Sequence, residues 1–348
     1  MNPYVLATLL MSLSLGTTIT FASSHWLLAW MGLEINTLAI LPIMAQNHHP
    51  RATEATTKYF LIQSTAAALL LFASNINAWM TGQWEINYMI HPLPVTLATL
   101  ALALKIGLAP VHAWLPEVIQ GVDLTTGLIL STWQKLPPFT LLLQIYPSNS
   151  PLLIILGITS TFIGGWGGMN QTQLRKILAY SSIAHLGWMT LVLQFSPSLS
   201  FLSMTLYIIM TFSLFMILKL TNSTTINSLA ISWTKTPVLT TITPLILLSL
   251  GGLPPLSGFM PKWLILHELT KQGINFIATL AAFSALLSLN FYIRLSYAVA
   301  LTMAPNNLSG TAHWRSTSNQ PTLPILITAT ATLMLLPLTP TIKTLILT

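Results

Sequence analysis

Apolar stretches of about twenty residues recur along the whole chain, and they constrain its fold more than any other feature. We count eleven of them in the 348 residues, separated by short polar connections. A stretch of about twenty mostly apolar residues is what a helix needs to cross the hydrocarbon core of a bilayer. Charged residues make up 5% of the chain, whereas a soluble domain has roughly 25%. The chain is therefore predicted to be an all-α polytopic membrane protein with about eleven transmembrane helices.

The boundaries of the predicted spans follow the apolar runs. Two spans are longer than the rest, because each contains an internal break rich in glycine and proline. No soluble domain is predicted between the spans, and the longest loops are polar segments near 221–236 and 303–321. The predicted spans are 3–22, 25–45, 57–80, 93–119, 124–146, 149–169, 174–195, 199–220, 238–269, 275–302 and 322–346.

The two breaks share one sequence pattern. Residues 107–117 (GLAPVHAWLPE) and 252–262 (GLPPLSGFMPK) both read G-L-x-P-x5-P followed by a charge. Lys105 lies just before the first break, and Lys262 ends the second. Glycine and proline interrupt helices. Paired interrupted helices in matching positions are typical of transporters that are built from inverted repeats.

Loop charge predicts the orientation of the chain. Most of the basic loop residues fall on the side of the N-terminus, which should therefore face the electrically negative compartment, matrix or cytoplasm. The broken spans are five spans apart, so they cross the membrane in opposite directions. We predict one integral membrane domain made of two inverted five-helix units. These units are roughly 25–169 and 174–302, and helices 3–22 and 322–346 flank them.

Among the charged side chains of the predicted spans, four are singled out: Glu34, Lys105, Lys135 and Lys262. Each costs about 2.5–3.5 kcal/mol at the middle of a membrane helix, so all four should persist only if paired, hydrated or used. Burial disfavours a charged lysine, and an anionic partner favours it. A switchable Glu34–Lys105 pair would thus make the lysine a gated proton site. The alternatives are a purely structural pair and, for Lys262, an ammonium that reaches the membrane interface.

Two histidines extend this series of titratable groups. His112 lies seven residues after Lys105, which would place it on the same side if the helix continued, and His185 lies one turn from Ser181. The unperturbed pKa of imidazole allows proton exchange near neutral pH. For each histidine a structural role is the alternative.

Other kinds of chemistry have no support in the sequence. The chain has no cysteine, which excludes disulfides, thiolate metal sites and cysteine nucleophiles. It has no dinucleotide-binding, Walker or zinc-protease motif. The net charge of +7 is spread over loops and lone helix positions, which favours a role in membrane topology over nucleic-acid binding. We therefore predict no cofactor, no metal and no nucleic-acid partner for this chain.

Five segments together carry a resemblance to a known family: MNP at the N-terminus, WLLAWMGLEINTLAILP, KIGLAPVHAWLPEV, STWQKLPP and GGLPPLSGFMPKW. They resemble the subunit 2 family of antiporter-like membrane subunits in mitochondrial NADH:ubiquinone oxidoreductase, respiratory complex I, in its short animal form. The resemblance covers the whole chain. This family is similar to the membrane subunits of multisubunit cation/proton antiporters.

The resemblance implies that Glu34, Lys105, Lys135 and Lys262 form a hydrated polar axis along the membrane midplane. Protons would move along it when quinone chemistry in another subunit perturbs the charge pairs. His185 is carried over less directly, because the family connects its central sites through waters and varied polar residues.

The resemblance also implies a place and partners for the chain. It implies the mitochondrial inner membrane, with other complex I subunits, antiporter-like neighbours and phospholipids around the chain. NAD, FMN, iron–sulfur clusters and ubiquinone would be held by partner subunits. Two alternatives stay open: a stand-alone cation/proton antiporter, and a structural membrane-arm subunit without a proton path.

Overall fold

The computed structural model describes residues 2–46, 48–145, 151–234, 236–301, 323–341 and 344. Helices and short turns make up these residues, and no strand lies among them. The prediction of an all-α membrane protein is therefore confirmed. The predicted loop 303–321, with Arg315, and the loop residue Lys235 fall outside the described residues.

The chain divides into two compact units, Met1–Leu156 and Gly157–Thr348, and the division falls inside helix α8. The predicted repeat units, 25–169 and 174–302, and their inverted relation stay predictions. The first unit contains α1 Pro3–Ala22, α2 Trp26–Met44, α3 Pro50–Thr81, α4 Pro92–Ile106, α5 Trp114–Gly121, α6 Leu124–Ser131, α7 Leu136–Gln144 and the start of α8 Pro151–Met169. The second contains the rest of α8, α9 Leu174–Leu193, α10 Pro197–Thr221, α11 Ile226–Ile231, α12 Pro237–Gly251, α13 Phe259–Lys271, α14 Asn275–Ala300 and α15 Leu323–Met334.

Seven of the described helices are long and apolar enough to cross a membrane by themselves: α1, α2, α3, α8, α9, α10 and α14. Helices α4 and α12 have 15 residues each, so each is about 22 Å long, less than the roughly 30 Å of the hydrocarbon core. Each continues beyond a break into a second helix, α5 or α13. The two broken spans predicted from the sequence are therefore present.

Proline and glycine set many of the helix ends. Six of the long or broken helices begin with proline, whose fixed φ and missing N–H suit the first helical position. Helices α4 and α12 both stop at a glycine in the left-handed region, Gly107 with φ 84° and Gly252 with φ 81°. A residue with a side chain rarely adopts this conformation. The first glycine of each G-L-x-P pattern is thus the residue that ends the helix.

A third interruption lies at Lys135, inside a span that the sequence analysis treats as continuous. Helix α6 ends at Ser131, a 3₁₀ turn covers Trp133–Lys135, and α7 begins at Leu136. Pro137 and Pro138 follow directly, and neither has an N–H to donate to a carbonyl one turn earlier. The prolines therefore start a new helix rather than continue the old one.

The polar loop near 221–236 also contains structure that the sequence analysis does not predict. A short helix, Ile226–Ile231, begins there, and Thr225 and Ser228 form a reciprocal capping box at its start. The hydroxyl of Thr225 accepts from the backbone N–H of Ser228, and the Ser228 hydroxyl bonds back to the Thr225 backbone N–H. In the usual capping box the residue three positions after the capping threonine is Glu or Gln, and here Ser228 takes that place.

Each unit also contains one short antiparallel backbone pairing. In the first unit His25, just before α2, lies opposite Glu85, which follows α3; in the second, Gln173, just before α9, lies opposite Thr225, which follows α10. Two backbone hydrogen bonds of 3.0 Å flank the first pair, and bonds of 3.1 and 3.3 Å flank the second. In both units, therefore, the same kind of backbone pairing joins the residue before one helix to a residue that follows the next helix.

Candidate functional site

The first break leaves a set of backbone carbonyls at the end of α4. The N–H groups of Gly107 and Leu108 both donate to the carbonyl of Ala103, at 2.9 Å each. The next carbonyl, that of Leu104, accepts from the indole N–H of Trp114 at 3.2 Å. The carbonyl of Lys105 accepts from the side-chain amide of Gln63 on α3 at 3.3 Å. Two neutral side chains therefore cap the broken end of α4.

The side chain of Lys105 is buried, with 6% of its surface exposed. Its ammonium nitrogen has no hydrogen-bond partner among the described residues. It lines a cavity of about 20 Å³, which is room for about one water molecule. The other polar residues that line this cavity are Asn36, Thr37, Tyr59, Gln63, Gln134 and Lys135.

Glu34 lies near this cavity on α2 and is half-buried. Its carboxylate accepts a hydrogen bond of 3.1 Å from the hydroxyl of Thr37. Among the described residues it forms no ion pair with Lys105 within 4.0 Å. Its negative charge nevertheless acts on both Lys105 and the hydroxyl of Tyr59. Glu34 and Lys105 are thus electrostatic neighbours without direct contact.

Lys135 lies at the end of the 3₁₀ turn between α6 and α7, with 2% of its surface exposed. It lines the same cavity as Lys105. Lys135 thus ends the 3₁₀ turn and directly precedes α7. The structure therefore brings together Lys105 and Lys135, with Glu34 close by, in the first unit.

The second break is capped by a lysine instead. Gly252 and Leu253 donate to the carbonyl of Leu248, as the matching residues do in the first break. The ammonium of Lys262, on α13, donates to the carbonyls of Gly251 at 2.7 Å and Leu250 at 3.4 Å. The negative end of a helix favours a cation there. The ammonium of Lys262 is therefore directed at the break of its own unit.

His185 lies in the second unit, and one turn earlier lies the carbonyl of Ser181, 2.8 Å from its Nδ1. Its ring packs against that of Tyr207, with 5.6 Å between the ring centres. His185 and Lys262 line one cavity of about 20 Å³, again room for about one water molecule. The structure thus groups His185 with Lys262, although the two lie far apart in the sequence.

His112 does not join the residues around Lys105. Helix α4 ends at Ile106, so the argument from a continuous helix does not apply. His112 lies in the turn before α5, half-buried, with its Nδ1 3.2 Å from the carbonyl of Pro110. It is absent from the residues that line the cavity of Lys105. Its role in proton transfer stays a prediction.

Besides Lys105 and Lys135, the polar residues of the first cavity escape the sequence analysis; they include Asn36, Thr37, Tyr59, Gln63 and Gln134. Gln63 is a polar residue in the middle of an apolar span (FLIQSTAAALLL), and Asn36 follows Glu34 by two positions. A polar side chain in a membrane span is costly to leave unpaired, and this rule could have singled them out. Among the residues that the structure describes, no group of three or more histidines and acids could hold a metal ion.

Two family models match the chain in consecutive segments. One is described as "NADH:quinone oxidoreductase/Mrp antiporter, TM" and matches residues 23–288. The other is described as "NADH dehydrogenase subunit 2 C-terminus" and matches residues 289–343. The two matches follow each other without overlap and include both breaks and every predicted site residue.

Among solved structures, the chain is similar to a chain of respiratory complex I from Thermus thermophilus. The TM-score is 0.85 at 26% identity, and the match covers 99% of this chain and 80% of the other. It also has the fold of a chain of the Mrp complex from Dietzia, with a TM-score of 0.81 at 16% identity over 97% of this chain and 76% of the other.

Curated relatives match along almost the entire length. NADH-ubiquinone oxidoreductase chain 2 of Tetraodon nigroviridis is 69% identical over 99% of both chains. The protein of the same name from Gadus morhua is 68% identical over 98% of both chains. Because the identity is high over nearly every residue, and because both family models agree with it, the chain belongs to the NADH-ubiquinone oxidoreductase chain 2 family.

Proposed function

We propose that this chain moves protons in the membrane arm of NADH:ubiquinone oxidoreductase, as an antiporter-like subunit that holds no redox centre itself. One observation carries the proposal: a buried ammonium, that of Lys105, has no hydrogen-bond partner among the described residues and lines a cavity shared with a second buried lysine. A buried cation without a hydrogen-bonded partner is costly. Such a group is suited to gain and lose a proton.

Glu34 is the proposed switch for this lysine. Its carboxylate is near enough to act on Lys105 by charge, yet no ion pair closes between them in the described structure. Motion of the carboxylate toward or away from the lysine changes the free energy of the charged ammonium. A change of 1.36 kcal/mol in that free energy alters the proton equilibrium tenfold. Lys135, in the same cavity, is the proposed next acceptor.

The second unit contains the proposed further site of the relay. Lys262 and His185 line one small cavity, and both are titratable. Protons pass from the sites of the first unit to this one in the proposed sequence Lys105, Lys135, Lys262. His112 is the least supported member, because it lies in the turn outside the first cavity.

The proposed setting follows from the family. The chain would lie in the mitochondrial inner membrane, with its N-terminus on the matrix side, because the basic loops lie on that side in an eleven-span topology. It would contact neighbouring antiporter-like subunits and phospholipids. NAD, FMN, iron–sulfur clusters and ubiquinone would be bound by partner subunits, where the electron transfer takes place.

The proposal is tested by removing the charge of the first site in the assembled complex. We expect Lys105→Met and Glu34→Gln to lower the number of protons pumped per NADH oxidised, because each removes one half of the switch. The measurement is proton uptake or release by the complex in sealed vesicles, together with NADH oxidation. An assembled Lys105→Met complex with normal turnover and a normal proton-to-electron ratio would leave the chain a structural role only.

A further inference from the structure

The two breaks have the same glycine-ended backbone, and one matching carbonyl, that of Lys105 or Leu250, accepts from a side chain in each. If the patterns are superposed in sequence, Leu104 and Lys105 correspond to Ser249 and Leu250. In the second break the ammonium of Lys262 donates to the carbonyl of Leu250. In the first break, the carbonyl at the matching position is already taken by a neutral amide.

The neutral donors of the first break come from two different elements. The indole of Trp114 comes from the first turn of α5, and the amide of Gln63 comes from the middle of α3. Both side chains are buried, with 5% and 4% of their surface exposed. Both also line the cavity that contains Lys105. They therefore both line the lysine's cavity and bind carbonyls at the end of α4.

A cation in such a cavity would otherwise be drawn to those carbonyls. Hydrogen bonds from a charged donor are roughly twice as strong as neutral ones, and the carbonyl end of a helix attracts positive charge. In the second break the ammonium of Lys262 binds two such carbonyls, and one of them, that of Leu250, matches the carbonyl of Lys105. At the first break the carbonyls of Leu104 and Lys105 have neutral donors, and the ammonium of Lys105 has no hydrogen-bonded partner among the described residues.

We infer that Gln63 and Trp114 are positioning residues, which occupy the carbonyls at the end of α4 and so keep the ammonium of Lys105 available for proton transfer. This inference rests on the proposed function, since it assigns a role in the same relay. The position of Trp114 supports it, because the residue at the matching position of the second break is Phe259, which has no N–H to donate. Of the two breaks in the described part of the chain, the one with the neutral cap is the one whose lysine has no hydrogen-bonded partner.

The chain offers a matched pair of tryptophan variants for the test. Trp114→Phe removes an indole N–H that caps a carbonyl. Trp26→Phe removes an indole N–H that is buried without a hydrogen-bond partner among the described residues. The two substitutions are chemically identical, so a difference between them reports the cap. Gln63→Met removes the second donor with little change in volume.

Proton pumping and NADH oxidation are measured as functions of pH in the assembled complex. We expect Trp114→Phe and Gln63→Met to lower proton-coupled turnover about tenfold at neutral pH, because a freed carbonyl holds the charged lysine. The alkaline limb of the pH profile should move upward by about one pH unit, which is the same tenfold factor. Trp26→Phe should leave both unchanged. If Gln63 and Trp114 have only a structural role, the variants should lower proton-coupled turnover equally at every pH. The alkaline limb of the pH profile would then not move.

The outcomes separate this inference from the proposed function. An unchanged alkaline limb in assembled Trp114→Phe or Gln63→Met complexes overturns the positioning role, even if Lys105→Met abolishes pumping. Normal pumping by Lys105→Met overturns the proposed function itself. If Trp114→Phe prevents assembly, the decision falls to Gln63→Met, whose unchanged limb is sufficient to reject the inference.

Discussion

The two broken helices of this chain have the same backbone conformation at the break. They differ in the side chains that donate to the carbonyls there. Helices α4 and α12 both end at a glycine with φ near 80°, 84° at Gly107 and 81° at Gly252. Neutral side chains cap the first end, and the ammonium of Lys262 caps the second. In both breaks side-chain donors meet carbonyls at the broken end, and the lysine is hydrogen-bonded in the break where it is itself the donor.

The charged residue that ends the G-L-x-P-x5-P pattern also differs between the two breaks. In the second break this position is Lys262, which turns inward to the carbonyls of α12. In the first break it is Glu117, whose exposed carboxylate binds Lys58 on α3 at 2.8 Å. The carbonyls of Leu104 and Lys105 already have donors, and the acidic residue faces outward. One sequence position thus has opposite roles in the two units.

The largest effect is expected at Gly258, which precedes α13. A methyl group there would collide with the carbonyl of Ser249, whereas the matching residue of the first break, Ala113, already has a methyl group. We expect Gly258→Ala to destabilise the second unit by about 3 kcal/mol or more, because backbone cannot move aside. Ala113→Gly, at an exposed position, should change stability by only about 0.5 kcal/mol.

The amount of assembled complex and its midpoint of thermal unfolding measure both variants. Equal midpoints for Gly258→Ala and Ala113→Gly would show that the two breaks do not differ in their close contacts.

An intermediate effect is expected when each lysine loses its charge. Lys262→Met leaves the carbonyls of Gly251 and Leu250 without this donor, which costs about 1–3 kcal/mol when such groups are buried. Lys105→Met frees no carbonyl, so we expect it to affect stability much less. Both variants should lower proton pumping. The thermal midpoint of the complex separates them, and an equal loss in the two variants would contradict the distinction between a capping and a free lysine.

The smallest effect is expected at the outward charge of the first break. Glu117→Gln removes one of two carboxylates around Lys58, and Glu54 remains at 2.8 Å. Exposed ion pairs contribute little and are screened by salt. We expect no resolvable change in thermal midpoint or pumping at physiological salt. Glu117→Lys, which places a cation beside Lys58, should show a deficit at low salt only. A large loss in Glu117→Gln would mean that this charge serves the relay directly.

Much of the fold could be predicted from the sequence, because it depends on local rules. The apolar runs predict the spans, and the G-L-x-P pattern predicts both breaks. The break at Lys135 escaped prediction, although Pro137 and Pro138 stand directly after it. A proline pair can be tolerated at the end of a continuous span or can start a new helix, and only the surrounding packing decides between these.

The charged residues of the candidate site could be predicted from the sequence. The residues that surround them could not. Glu34, Lys105, Lys135 and Lys262 stand out because a charge in a membrane span is costly. Trp114 does not stand out, and nothing local shows that its donor or that of Gln63 reaches the carbonyls of another helix. His185 was singled out by its own chemistry, and its place beside Lys262 depends on how α9 packs against α13.

The sequence by itself therefore determined that this chain spans the membrane, where two of its helices break at the G-L-x-P patterns, and which charges lie within it. These properties follow from the free energy of placing each residue in hydrocarbon and from the backbone geometry of glycine and proline. The tertiary structure alone decided which donor meets each freed carbonyl. A hydrogen bond needs an approach of about 3 Å between groups distant in the sequence, and only the packing of whole helices provides that approach.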